Sequence, residues 1–169
     1  LDKLRDELLS EKVDQIVSLG GGSVMDAAKV LSVMLHPSNA RLTLNDVLSK
    51  NISFTAKRLP LINIPTTSGT GAEVTPFATV WDFKNSKKKS FASEVLIPDW
   101  VILDAKTTFG SPEKLTVNCA LDTCSHAMES LWNKNATERS VWLASEALKI
   151  LVEELPKLLK EDSLKSREK

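Results

Sequence analysis

The chain has 169 residues, 42% hydrophobic and 26% charged, with a formal net charge of zero. That is enough apolar material for a real core, in one soluble domain or parts of two, and the balanced charge argues against nucleic acid or an anionic membrane as partner. No apolar run approaches the roughly 18 residues of a membrane span, and the charged opening Leu1 to Glu11 is no signal peptide, so the expected location is cytoplasmic.

Leu1, Leu4, Leu8 and Leu9 have helical spacing, predicting a helix within Leu1 to Lys12. Val13, Ile16, Val17 and Leu19 then mark a short, largely buried strand. At its end stands Gly20-Gly-Gly-Ser-Val-Met-Asp-Ala-Ala-Lys29, a glycine-rich turn opening into a helix to about Leu35, with Ser23 as the expected N-cap and Pro37 stopping further winding. Glycines let a backbone approach a phosphate, and the free amides of a first helical turn offer donors at a positive dipole end. A triple glycine also suits an ordinary tight turn, and this one is neither Gly-x-Gly-x-x-Gly nor a P-loop. His36, at the helix end, reads as structural.

Arg41 to Lys57 is a polar connection with a short helix predicted at Thr43 to Ser49. Leu59 to Pro65 reads as a buried strand delivering Thr66-Thr-Ser-Gly-Thr-Gly-Ala-Glu-Val-Thr75, a second loop of hydroxyls and glycines. Such a loop also suits plain solvation, but two of them at strand C-terminal ends lie where an open α/β sheet binds its ligand. Pro76 to Asp82 alternates like a strand, Lys84 to Lys89 reads as a basic turn, Ser90 to Leu96 as a strand pairing back, and Asp99 to Asp104 as another short strand.

From Pro112 onward the pattern is helical: Pro112 to Trp132, then Thr137 to Lys160 with Pro156 weakening its last turns, then a frayed, charged tail after Glu161. The expected boundary places an α/β part in residues 1–109 and a helical part in 110–169. Read as a helix, Ala120 to Ser130 puts Asp122, Ser125, His126, Glu129 and Asn133 on one face of about 100°, opposite Ala120, Cys124, Ala127, Met128 and Leu131. An Asp and a His one turn apart can converge on one divalent cation and supply half of a metal site. The same pattern also fits a solvated polar helix face. Cys119 and Cys124 suit neither a Cys-x-x-Cys pair nor a zinc knuckle, and read as buried reduced thiols.

Taken together, Gly-Gly-Gly-Ser-x-x-Asp-x-x-Lys at Gly20 to Lys29, Thr-Thr-Ser-Gly-Thr-Gly-x-Glu-Val-Thr at Thr66 to Thr75 and Asp-x-x-x-His-Ala-x-Glu at Asp122 to Glu129 resemble the iron-containing (group III) alcohol dehydrogenase family. The resemblance implies a Rossmann-like nucleotide-binding part followed by the start of an all-helical domain, a dehydroquinate synthase-like architecture. It implies NAD or NADP held by Gly21, Gly22, Ser23 and Asp26, with Thr66, Thr67, Ser68 and Thr70 on the nicotinamide and ribose side and Lys89 reaching phosphate or ribose. Asp122 and His126 would be the first metal ligands, for Fe(II) or Zn(II). The implied reaction is hydride transfer between nicotinamide and a small alcohol or aldehyde, with the metal as Lewis acid on the substrate oxygen. The implied parent is a homo-oligomer.

The resemblance also implies a segment truncated at both ends: two further metal-binding histidines stand downstream in the family, and the first strand-turn-helix unit stands upstream. The segment alone is therefore expected to be inactive. Ala120 stands where relatives usually carry glycine, and Cys124 where they carry an aliphatic residue. Glu129-Ser-Leu-Trp-Asn-Lys-Asn-Ala136 is similar to the branch that reduces phosphonoacetaldehyde, while other branches act on butanol, propanediol, lactaldehyde or maleylacetate. The alternatives are a glycerol dehydrogenase-like or dehydroquinate synthase-like relative, and a non-catalytic nucleotide-binding remnant.

Overall fold

The structure is a computed structural model describing residues 1–39, 41–48, 57–82 and 85–169. The described residues form two compact units, Leu1–Pro65 with Gly71–Leu103, and Thr66–Thr70 with Asp104–Lys169.

The first unit is α/β. Helix α1 spans Asp2–Leu8 and stops short of Lys12. There the Ser10 hydroxyl donates to the Glu7 carbonyl (2.9 Å), a local bond that competes with the helix. Strand β1 is Ile16–Gly20, beginning later than Val13 because its ladder begins with Ile16 opposite Leu61. Helix α2 follows over Gly22–Met34, then α3 over Leu44–Leu48; the rest of the polar connection, from Ser49 to Ala56, lies outside the described residues. Strand β2 is Leu61–Pro65, and β5 is only Trp100–Val101, shorter than Asp99 to Asp104 because it pairs only with Ile62 and Asn63. Order is β1-β2-β5, all parallel.

Strands β3 (Phe77–Asp82) and β4 (Lys87–Ala92) form a separate antiparallel pair. Here the structure shortens the expected basic turn: Asn85 and Ser86 are turn residues, Lys84 lies outside the described residues, and Lys87 to Lys89 are strand residues, opposite Asp82, Trp81 and Val80. Cross-strand chemistry accounts for it, since Lys88 lies 4.8 Å above the Trp81 ring and the Lys89 ammonium is 3.8 Å from the Asp82 carboxylate. The end of the predicted second hairpin strand, Glu94–Leu96, is a 3₁₀ turn.

Helix α2 is apolar on most sides and is buried accordingly. Val30, Val33 and Met34 pack with Val47, Ala78, Phe91 and Leu96, while Leu31 and Leu35 pack with Leu59. The sheet side contains a polar pair: buried Ser18 donates to the side-chain oxygen of buried Asn63 (2.7 Å), its register partner. Arg58 fixes the approach to β5, donating to the carbonyls of Val95 and Ile97 (both 2.7 Å) and to Asp99 (2.5 Å). Asp99 in turn accepts the Leu61 amide (2.8 Å). His36 accepts the Ser38 amide on Nδ1 (3.2 Å) at the end of α2.

The second unit is helical apart from Thr66–Thr70 and the turns before α4. Helix α4 spans Glu113–Trp132 and α5 Glu138–Lys160. Thr137 and Ser140 close a capping box at the start of α5. Pro156 does not end α5: the carbonyl it leaves without a donor is that of Val152, which is 72% exposed and can take its bond from water. The tail is likewise not frayed. Ser163 caps a short helix α6 (Leu164–Arg167), with Arg167 paired to Asp162 (2.5 and 3.0 Å) and Lys169 to Glu154 (2.9 Å). Among the described residues no helix is long and apolar enough to cross a membrane.

Candidate coenzyme and metal site

The glycine turn leaves β1 where Gly20 lies opposite Pro65 of β2, so the chain exits both parallel strands at the same edge of the sheet. The turn must be tight: a Cβ on Gly20 would lie 2.7 Å from the side chain of Val24. The expected N-cap is corrected here. Gly21 takes the extended cap conformation (φ −79°, ψ −176°) and Gly22 is already helical, so Ser23 lies inside the first turn, exposed, with no capping bond to make. As in any helix, the first amides of α2 have no carbonyl one turn earlier to bond.

Asp26 and Lys29 stand one turn further into α2. The Lys29 ammonium, fully buried, donates to the carbonyls of Phe77 (2.7 Å) and Thr75 (3.0 Å) and lies 3.5 Å from Asp26. The other Asp26 oxygen accepts the Thr79 amide (2.9 Å). Burial pushes the Asp26 carboxyl above its ordinary value, against the Thr79 bond and the Lys29 charge, and burial pulls the Lys29 ammonium down despite Asp26. Both Asp26 oxygens are thus engaged with protein groups. Lys89, on β4, faces Asp82 and the Asn45 side chain (3.4 Å).

In the second unit, the loop Thr66–Thr70 lies against α4. The Gly69 carbonyl is 3.1 Å from Nδ1 of His126, and Nδ1 lies 4.0 Å from the nearer Asp122 oxygen. Both side chains are about half exposed, at 45% for Asp122 and 53% for His126. The Cys119 thiol, free like Cys124 and only half-buried, is pushed up by burial first and by Asp122 second, while the Ser68 amide pulls it back. Thr66, Thr67 and Ser68 line a cavity of about 450 Å³ with Leu115, Cys119 and Thr123 of α4. One carboxylate and one imidazole are donors that suit a divalent first-row cation, so the pair fits as part of a metal site. Among the described residues no group of three or more His, Cys, Asp or Glu side chains is placed so that it could hold a metal ion.

The structure therefore joins Gly69 with Asp122 and His126, and Thr66 to Ser68 with α4. Gly69 is the residue that sequence reasoning passed over. Its only signal was a glycine between serine and threonine; its partner stands 57 positions away.

A three-stranded parallel sheet with a glycine turn, followed by two long helices, defines a Rossmann-like α/β region leading into a dehydroquinate synthase-like helical region. The family described as iron-containing alcohol dehydrogenase matches residues 1–105. The chain belongs to the iron-containing alcohol dehydrogenase family. It is 41% identical over 154 residues to the bifunctional aldehyde-alcohol dehydrogenase AdhE of Escherichia coli K12, covering 87% of this chain and 17% of that protein. It is 39% identical over 149 residues to the sulfoacetaldehyde reductase of Bilophila wadsworthia, covering 86% and 37%. The crystal structure of sulfoacetaldehyde reductase from Bifidobacterium kashiwanohense in complex with NAD+ superposes with a TM-score of 0.91 at 28% identity, over 99% of this chain and 44% of that one. The chain thus spans less than half the length of each of these proteins.

Proposed function

We propose that this chain carries the coenzyme-binding elements and two metal ligands of an NAD(P)-dependent alcohol dehydrogenase or aldehyde reductase. The observation that supports this most directly is the contact of the threonine loop with the Asp122 and His126 helix. When bound, the metal supplies Lewis acidity toward the substrate oxygen and the nicotinamide supplies or accepts the hydride.

The chain's own residues have narrower tasks. The amides of Gly22 and Ser23 and the Ser23 hydroxyl would hold the pyrophosphate at the positive end of α2. Thr66, Thr67, Ser68 and Thr70 would orient the ribose and nicotinamide, and Lys89 would meet a phosphate or ribose oxygen. Asp26 would act through α2, keeping its first turn in place by the Thr79 and Lys29 contacts. Asp122 and His126 would hold Fe(II), or Zn(II), whose preferences match the same oxygen and imidazole donors. The substrate would be a small aldehyde or alcohol. An aldehyde with an anionic head group, phosphonoacetaldehyde or the sulfoacetaldehyde in the names of two similar proteins, is the finer reading. The α/β part would extend to about residue 109, the protein would be cytoplasmic, and the whole protein would be a homo-oligomer.

The test is anaerobic calorimetric titration of the chain with NADH and NADPH, with and without Fe(II) or Zn(II), in wild type and Asp122→Ala. Coenzyme binding retained in Asp122→Ala together with loss of metal binding is the expected result. Metal binding that survives both Asp122→Ala and His126→Ala would sink the ligand assignment. Absence of coenzyme binding in a folded chain would sink the cradle. Coenzyme binding by the whole protein without turnover of any alcohol or aldehyde would favour a non-catalytic remnant.

A further inference from the structure

Three observations meet at Gly69. Its carbonyl oxygen is 3.1 Å from His126 Nδ1. Its φ of +109° is a conformation that side-chain-bearing residues rarely adopt. A Cβ built on it would lie 2.8 Å from the Cys119 carbonyl oxygen and 3.2 Å from the Asp122 carboxylate, so no other residue fits between this loop and α4 without displacing one of them. A carbonyl can only accept, so the short contact requires a proton on Nδ1. In the neutral ring the lone pair is then on Nε2.

We infer that Gly69 is a positioning residue for His126: its carbonyl holds the imidazole as the Nδ1–H tautomer and presents Nε2 as the ligand nitrogen, and its missing side chain is what allows that approach. The assignment of Nε2 to a metal rests on the ligand role proposed above for His126; the tautomer does not. A partner that orients the imidazole and sets its tautomer commonly accompanies a histidine ligand. Here that partner belongs to the loop whose hydroxyls are proposed to meet the coenzyme. Displacing the loop would therefore also release the ring.

The tautomer can be read directly. The chain has two histidines, His36 and His126, so a nitrogen-15 histidine spectrum of the whole chain contains two rings, assigned by His36→Asn. The spectrum is recorded at a pH above which it no longer changes, so that both rings report neutral tautomers. The expected result is the Nδ1–H form for His126, and a predominant Nε2–H form, the usual preference of a free imidazole, would overturn the inference. Zn(II) added to the same sample should shift Nε2 of His126. The Nδ1–H form without any Zn(II) shift would uphold the Gly69 contact while overturning the ligand role itself. In Gly69→Ala the Nδ1–H signature should be lost and Zn(II) affinity should fall tenfold or more. A folded Gly69→Ala that keeps both would overturn the inference. If that variant does not fold, the spectrum of the unaltered chain still decides.

Discussion

The buried ammonium of Lys29 donates to the carbonyl oxygen of Phe77 at 2.7 Å, tying the middle of helix α2 to the first residue of strand β3. With the Thr75 carbonyl at 3.0 Å and the Thr79 amide on Asp26, it holds the segment that leads out of the threonine-rich stretch against the helix that the glycine turn opens.

Lys29→Met leaves the largely buried Asp26 with its nearest cation gone and two carbonyls short of a donor. The expected cost is about 3–5 kcal/mol, the range for breaking one side of a buried pair. It is measured as a drop in the urea midpoint of the first unit. Asp26→Asn with Lys29→Met should cost less than the sum of the single changes, because neither variant charge is then left alone. A strictly additive double variant would show that the pair is not coupled.

Glu154, almost fully buried on α5, accepts hydrogen bonds from Lys169 (2.9 Å) and Lys157 (3.1 Å), which hold its carboxyl at about 2 against an ordinary 4.5. A depressed acid contributes stability that is complete above its unfolded value and is lost as pH falls through its folded value. The attachment of the α6 tail to α5 should therefore be complete above pH 4.5 and fade as the pH approaches 2. Glu154→Gln removes that dependence. The check is amide hydrogen exchange across Ser163 to Lys169 as a function of pH: wild type and variant should differ most above pH 4.5 and converge near 2.

Ser18 and Asn63 are a polar pair inside an otherwise apolar sheet layer, and among the described residues the Asn63 amide nitrogen has no partner of its own. Ser18→Ala should cost about 1–3 kcal/mol, since it strands the Asn63 oxygen as well, whereas Ser18→Ala with Asn63→Val should be close to neutral. Chemical denaturation of the three variants checks the order. A double variant as unstable as the sum of the singles would mean that the pair has a further partner.

Much of this protein is local and was legible from residue pattern. The order of strand, glycine turn and helix from Ile16 to Met34, the strand before Thr66 and the two long helices follow from apolar spacing and from Gly and Pro, which act within a few residues of themselves. The three motifs supplied the family for the same reason: each is one uninterrupted segment. What failed was set by partners in another strand or helix, outside the segment's own pattern. Lys87 to Lys89 read as a turn until Asp82 and Trp81 were placed opposite them, and the charged tail read as frayed until Glu154 met Lys169.

The candidate site divides in the same way. Asp122 and His126 were visible because one helical turn brings them together. That Thr66–Thr70 packs in the helical unit, that Asp26 is engaged by Lys29 and Thr79, and that Gly69 must be glycine were decided only by tertiary structure. Sequence alone specifies which groups a segment offers within its own helix or strand. The carbonyl that meets an imidazole 57 residues away is chosen by how the loop folds against α4 within the second unit, because a backbone oxygen has no residue type by which to be recognised.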